Sequence, residues 1–172
     1  MRVTASEVSD TALGQEVCLN PGRWYRFTGC VKTDNYRLYK TPTYHAQKLY
    51  ATLAGDRTLR IDGPLPAQVV LDLSATLTAQ EDAVVLFAVN DGLEAISRAL
   101  DFSAFGSRDQ KLEVWTLADR KQAGEPDVTN SFGEPERITS RQSTITVLSP
   151  HFVYRFLPLS LSVLKWRVSS GN

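Results

Sequence analysis

From residue 58 onward, runs of alternating apolar and polar residues recur along the chain, most of them separated by short turn signals. This period of two is typical of strands that bury one face. Turn-forming residues separate the runs, as in Asn90-Asp91-Gly92 and Ser149-Pro150. The predicted strands are residues 58–61, 67–77, 83–90, 93–102, 111–117, 143–148, 151–157 and 160–168. Many short strands at this spacing favour an all-β fold, a jelly-roll-like β-sandwich.

Two connections between these strands carry specific predictions. Asp91-Gly92 lies between two apolar runs and predicts a tight hairpin joining residues 83–90 to 93–102. Residues 118–142 predict a long loop, which contains two prolines and the tripeptide Asn130-Ser131-Phe132. Loops of that length are usually functional or packed on a neighbour.

One helix is predicted, over residues 42–53. Thr41 can cap its first turn, and Pro42 suits the first helical position, where no N–H is needed. Gly55 fits the left-handed position after the last turn. An apolar stripe at helical spacing is formed by Ala46, Leu49, Tyr50 and Leu53. A helix this short must pack on another element to be stable, so we expect it at the edge of the sandwich.

The N-terminal residues predict a separate β-hairpin, over about residues 14–32. Asn20-Pro21-Gly22 supplies the turn, and Tyr25 and Phe27 alternate with polar residues after it.

The two cysteines are predicted to be unpaired thiols. If the hairpin has this register, Cys18 faces the region of Tyr25 and not Cys30. His45 and His151 show no ligand spacing with either cysteine, so neither a metal nor another cofactor is expected.

Charge and hydropathy exclude several partners. The 172 residues contain 19 Lys+Arg and 19 Asp+Glu, so no basic excess favours a nucleic acid or an anionic membrane. No apolar run has membrane-spanning length, and the first residues lack the apolar core of a signal peptide. Cytoplasmic localisation is the default expectation, unless the true N-terminus lies further upstream.

Several segments, taken together and in order, resemble one known family. The loop Asn130-Ser131-Phe132 with its later proline is the most specific. Residues 41–57, 113–117 and 158–164 are similar to segments that flank or precede such a loop. Over roughly residues 36–168 the chain resembles the C-terminal β-domain of bacterial α-L-arabinofuranosidases of glycoside hydrolase family 51. Residues 19–33 resemble one hairpin of a carbohydrate-binding module that some members carry.

This resemblance implies three parts. Residues 1–34 would be a partial carbohydrate-binding-module hairpin, residues 35–56 the last helix of a (β/α)₈ barrel, and residues 57–172 the C-terminal sandwich. The rest of the barrel has no counterpart here, which an internal deletion would explain. The helical stripe would then lack its barrel partner, so we expect it to be under-buried and to favour self-association.

The resemblance also implies that the catalytic residues are missing. Family members hydrolyse arabinofuranosides with retention, which needs two carboxyl groups about 5 Å apart. Their acid/base Glu follows an Asn directly, and this sequence contains no Asn-Glu pair. The remaining candidates, Asp127, Glu134 and Glu136, are predicted to be a solvated face of the long loop, and Ser131 has no histidine nearby for a triad. We therefore expect no catalytic residue in this chain.

Three residues are weak candidates for carbohydrate contact. Trp24 follows a turn and can point outward, whereas Trp115 and Trp166 are predicted to be core residues of strands. Asn130 and Phe132 are predicted mainly as loop anchors, the amide tying the backbone and the ring covering the core edge.

Three functions remain open at this point. The chain can be an accessory β-domain that is inert alone, or a carbohydrate-binding module for arabinose-containing glycans. It can also be a hydrolase that assembles with a barrel on another chain.

Overall fold

The computed structural model describes residues 2–5, 11–14, 31–34, 36–62, 71–106 and 110–168. Within these residues the fold is all-β with one helix, as predicted. The elements are β1 (Arg2–Ala5), β2 (Thr11–Gly14), β3 (Val31–Thr33), β4 (Leu38–Lys40), α1 (Pro42–Leu53), β5 (Arg57–Leu59), β6 (Leu71–Leu77), β7 (Ala83–Asn90), β8 (Ile96–Asp101), β9 (Lys111–Asp119), β10 (Ile138–Thr146), β11 (His151–Phe156) and β12 (Ser160–Arg167). A short 3₁₀ helix spans Ser103–Phe105.

Six strands form one antiparallel sheet in the order β10-β9-β12-β7-β6-β5. A second, two-stranded sheet pairs β8 with β11 in antiparallel register, and β1 pairs with β2 and β3 with β4. The predicted hairpin turn at residues 20–22, both cysteines and Trp24 lie outside the described residues.

The main core lies between the six-stranded sheet and the β8–β11 pair. Trp166 on β12 is 1% exposed, and its indole N–H donates a 2.6 Å hydrogen bond to the Gly106 carbonyl. The rings of Phe102 and Phe152 stack on it, with centroids 5.5 and 6.1 Å away. Trp166 is therefore a core residue, as predicted.

Helix α1 covers the opposite face of the six-stranded sheet. Leu49 is 5% exposed and packs with Val85, Phe87 and other apolar residues of β7, β9 and β12. The ring of Tyr50 stacks on Phe87 with centroids 4.3 Å apart, although 40% of Tyr50 stays exposed. The prediction of an under-buried stripe is therefore wrong for Leu49, because the central strands are apolar on both faces and themselves supply the partner.

The bounds of α1 match the prediction, and of its two predicted caps the N-terminal one is confirmed and the C-terminal one is wrong. The Thr41 hydroxyl accepts a 3.3 Å hydrogen bond from the Tyr44 N–H, which confirms the predicted cap. At the C-terminal end Ala54 is extended, with φ −60° and ψ 137°, and Gly55 is not left-handed. Gly55 serves packing instead, because a Cβ there would lie 2.2 Å from the Leu77 carbonyl oxygen.

The predicted tight hairpin at Asp91-Gly92 does not form. Strand β7 pairs with β6 and β12, so both of its edges are occupied, and β8 pairs with β11 in the other sheet. The chain therefore changes sheets at this turn. The buried Asn90 side chain holds the crossing by accepting from the Gly92 N–H at 3.0 Å and donating to the Glu94 and Leu157 carbonyls at 2.8 Å.

The long loop is shorter than predicted. Strands β9 and β10 pair along nine positions each, from Ile138 opposite Asp119 to Thr146 opposite Lys111. This leaves residues 120–137 as the connection. No helix among the described residues is long and apolar enough to cross a membrane.

Candidate functional site

The loop of residues 120–137 contains both of the described residues that were predicted as carbohydrate contacts. Asn130 is 0% exposed. Its side-chain oxygen accepts from the Ile138 N–H at 2.7 Å, and its NH₂ group donates to the carbonyls of Ile138 at 2.9 Å and Lys40 at 2.7 Å. The amide thus ties the loop backbone, and also joins it to β4. A sugar contact by Asn130 stays a prediction, and it would require the loop to open.

Phe132 lies beside Tyr39 and Arg37, two residues near the start of α1. Its ring meets Tyr39 edge to face, with centroids 4.9 Å apart at 89°. The guanidinium carbon of Arg37 lies 4.9 Å from the Phe132 centroid, within range of a cation–π contact. Phe132 stays half-buried, so part of its surface faces solvent.

Asp34 holds Arg37 in this position. Arg37 Nη2 and Nε donate to Asp34 Oδ2 at 2.8 and 3.1 Å. The Tyr36 N–H, followed by the backbone and side chain of Arg37, lowers the pKa of the Asp34 carboxyl. The arrangement places a cation beside a partly exposed aromatic ring.

Ion pairs fill the other side of the loop. Glu134 pairs with Lys121 and, at 3.6 Å, with Arg137. Arg137 Nε lies 3.2 Å from Asp119 Oδ1, and both side chains are at least four-fifths buried. Glu136 and Asp127 are exposed, as expected for a solvated face, whereas Glu134 is half-buried among its cations.

The electrostatics of these carboxyl groups are opposite to those of a catalytic acid. Burial raises the pKa of Asp119, but hydrogen bonds from Arg137 and from the N–H groups of Lys121 and Ala123 outweigh it and bring the pKa to about 2. The hydrogen bond from Lys121 lowers the pKa of Glu134. A general acid for glycoside cleavage needs a raised pKa, so neither group is suited to that role.

The remaining candidates are placed apart from this loop. Trp115 lies on β9 and packs, partly buried, against the cluster beneath α1, which agrees with its predicted core role. His45 lies near the start of α1, where burial and then Lys40 and Lys48 lower its pKa. His151 is exposed at the start of β11. Among the described residues no group of three His, Cys, Asp or Glu side chains is placed to hold a metal ion.

Sequence reasoning did not identify Arg37, Tyr39 or the Lys40 carbonyl as partners of the loop. Asn130 and Lys40 are 90 positions apart, so no local pattern indicates their contact. The Asp34 carboxylate accepts from the N–H groups of Tyr36 and Arg37, and this turn was the one local signal in that segment.

The fold is that of the β-domain of family-51 glycoside hydrolases. The chain superposes on an arabinose-bound GH51 α-L-arabinofuranosidase with TM-score 0.70 and 24% identity, over 84% of this chain and 22% of that one. The enzyme from Thermotoga petrophila RKU-1 gives TM-score 0.67 and 22% identity, over 80% of this chain and 31% of that one. The arabinose complex of the Thermotoga maritima enzyme gives 0.65 and 24%, over 81% and 32%.

The sequence itself matches the family described as "Alpha-L-arabinofuranosidase C-terminal domain" over residues 28–160. The chain belongs to this family. It spans at most about a third of the length of these solved enzymes, and it corresponds to their accessory C-terminal domain. No curated protein sequence matches the chain significantly.

Proposed function

We propose that this chain braces the last helix of an arabinofuranoside-cleaving barrel and does not cleave sugar itself. In this proposal residues 35–56 are the barrel's last helix and residues 57–172 the bracing sandwich. Residues 1–34 are a partial carbohydrate-binding module. The proposal rests on membership of the family and on how α1 is held.

The observation that carries the proposal is the two-sided attachment of the α1 segment. On one side Leu49 is buried on the six-stranded sheet. On the other, Asn130 binds the Lys40 carbonyl just before the helix. A segment fastened both before and along its helix is positioned rigidly, which a domain supporting a neighbouring barrel requires.

The chemistry of the described carboxyl groups supports a non-catalytic role. Retaining hydrolysis needs one carboxyl kept protonated and a second positioned as nucleophile. Asp119 and Glu134 are both paired with cations that favour the ionised form.

The test is release of nitrophenol from 4-nitrophenyl α-L-arabinofuranoside by the purified 172-residue chain. We expect no rate above that of a mock purification from cells lacking the gene. Turnover that is abolished by Glu134→Gln, with folding retained, would contradict the proposal and place a catalytic site in this loop. Glu136→Gln, at an exposed carboxylate, is the matched control.

A second candidate function is binding of arabinose-containing glycans without cleavage. The half-buried Phe132 ring beside the Arg37 cation favours it, because aromatic faces and charged donors are common in sugar sites. The test is a titration with arabino-oligosaccharides in which binding is monitored by NMR chemical shifts. Binding lost in Phe132→Ala but kept in Leu148→Ala, which removes an 85% exposed side chain elsewhere, would support this function. The absence of any shift at millimolar sugar would exclude this site.

A further inference from the structure

Strand β10 is an edge strand of the six-stranded sheet. Its register with β9 shows which of its backbone groups point away from the sheet. The Arg137 carbonyl accepts from the Arg120 N–H at 2.9 Å, and the Val147 N–H donates to the Gln110 carbonyl at 2.8 Å. These two bonds bracket the β9–β10 ladder, so the odd-numbered residues of β10 direct their backbone groups at β9. The even-numbered residues direct theirs outward. Ile138 confirms this, since its N–H and C=O both bind a side chain outside the ladder.

Among the described residues, the first outward position is the one that has a partner. Asn130 occupies both backbone groups of Ile138. Within the described part of the chain, no hydrogen bond reaches the outward N–H and C=O groups of Ser140, Gln142, Thr144 and Thr146. Ser140 is half-buried and residues 141–146 are all exposed, so the outward groups of Gln142, Thr144 and Thr146 belong to accessible residues.

The sequence of β10 lacks the features that usually protect an edge strand. Natural edges are shortened, or carry lysine, proline or a bulge. Strand β10 has nine residues, no proline and a single charge, Arg141. At the other end of the sheet β5 has three residues, and Arg57 begins it. One edge is thus short and charged, and the other is long and open.

We propose that the β10 edge pairs antiparallel with β10 of a second copy of this chain, with the two-fold axis at Ser143. In this register Ser140 of one copy lies opposite Thr146 of the other, and Gln142 lies opposite Thr144. All four outward positions then form backbone hydrogen bonds across the interface. Ile138, whose backbone groups bind Asn130, lies outside the paired segment. The two six-stranded sheets become one continuous sheet.

The side chains make the second copy a better occupant than an unrelated peptide. Because the strand pairs with itself, each Arg141 lies opposite Ile145, and no like charges meet. Ile145 is 38% exposed, and the aliphatic part of the facing arginine would cover it. The polar, β-branched residues of this strand also favour sheet pairing.

Sedimentation velocity of the whole chain at 1 to 200 µM tests the proposal, with two matched double variants. Gln142→Lys with Thr144→Lys places like charges opposite each other twice and is expected to weaken dimerisation at least about tenfold. Gln142→Glu with Thr144→Lys places opposite charges at the same positions and should restore it. A chain that is monomeric throughout, or a dimer that both variants leave unchanged, would overturn the proposal.

Amide hydrogen exchange gives a second, residue-level readout. On dimerisation the amides of Ser140, Gln142, Thr144 and Thr146 should slow, whereas their odd-numbered neighbours are already protected by β9. Protection that appears on another surface, with the even-numbered β10 amides still exchanging fast, would assign the association elsewhere and reject the β10 interface.

Discussion

The side-chain amide of Asn130 donates a 2.7 Å hydrogen bond to the carbonyl oxygen of Lys40, a residue 90 positions earlier in the chain. The same side chain makes both of its other bonds to Ile138, at the start of β10. One buried amide therefore joins the strand before the helix, the long loop and the edge of the main sheet.

Replacing Asn130 by alanine should destabilise the fold. The change removes the partner of the Lys40 carbonyl and of both backbone groups of Ile138, three part-buried hydrogen bonds, and we expect a loss of about 3 kcal/mol in the free energy of unfolding. Urea denaturation measures it. Thr129→Ala, at the exposed neighbouring residue, should change stability by less than about 0.5 kcal/mol. Equal effects of the two changes would show that the amide is not an anchor.

Removing the carboxylate of Asp119 should make stability less dependent on pH in acid. Its pKa in the folded chain is about 2, below the usual 3.8, so its contribution is full above pH 4 and is lost as pH falls through 2. Asp119→Asn should cost about 1–2 kcal/mol at pH 6, with the difference from the unmodified chain shrinking toward pH 2.

The measurement for Asp119 is the urea midpoint of both proteins at several pH values. Glu136→Gln is the control, because Glu136 is exposed and its nearest cation, on Arg120, lies 3.9 Å away. A stability difference for Asp119→Asn that stays constant down to pH 2 would contradict the assignment.

Gly55→Ala should destabilise the junction between α1 and β6. The new methyl group would lie 2.2 Å from the Leu77 carbonyl oxygen, so backbone must move, and we expect a cost of about 2 kcal/mol or more. Thermal unfolding reports the change. Gly133→Ala is the matched control, since its Cβ would meet only the Ser131 hydroxyl, at 3.8 Å. Similar melting temperatures for the two variants would refute the close approach.

Leu49→Ala should loosen the docking of α1 on the sheet. Leu49 is 5% exposed among Val85, Phe87 and Leu117, and truncating a leucine in such a site costs about 2–4 kcal/mol. Leu148→Ala, at a side chain that is 85% exposed, should be nearly neutral when compared in the same denaturation experiment. If Leu49→Ala were also neutral, the helix would not be docked as described.

The sequence predicted the bounds of single elements better than it predicted which strands pair. The helix matches its predicted bounds, because Thr41, Pro42 and the apolar stripe all act within a few residues of one another. Strand β7 matches for the same reason, since its apolar run and flanking turns are contiguous. The hairpin at Asp91-Gly92 was wrong because that turn chemistry does not reveal that both edges of β7 are already taken.

The loop illustrates the same limit for the candidate site. The anchoring role of Asn130 was predicted from residue type, because a side-chain amide can tie the backbone of a loop. Its second partner, Lys40, and the cation on Phe132 come from another part of the chain, and a single sequence does not indicate them.

The bond from Asn130 to Lys40 also sets where this domain can be cut for transfer to another protein. A graft that starts at Arg57, where the main sheet begins, would leave the Asn130 amide without its acceptor and expose the apolar residues beneath α1 to water. Such a fragment should aggregate, because its apolar surface is exposed. The domain boundary for such a transfer therefore lies before β4, so that the transferred segment includes α1.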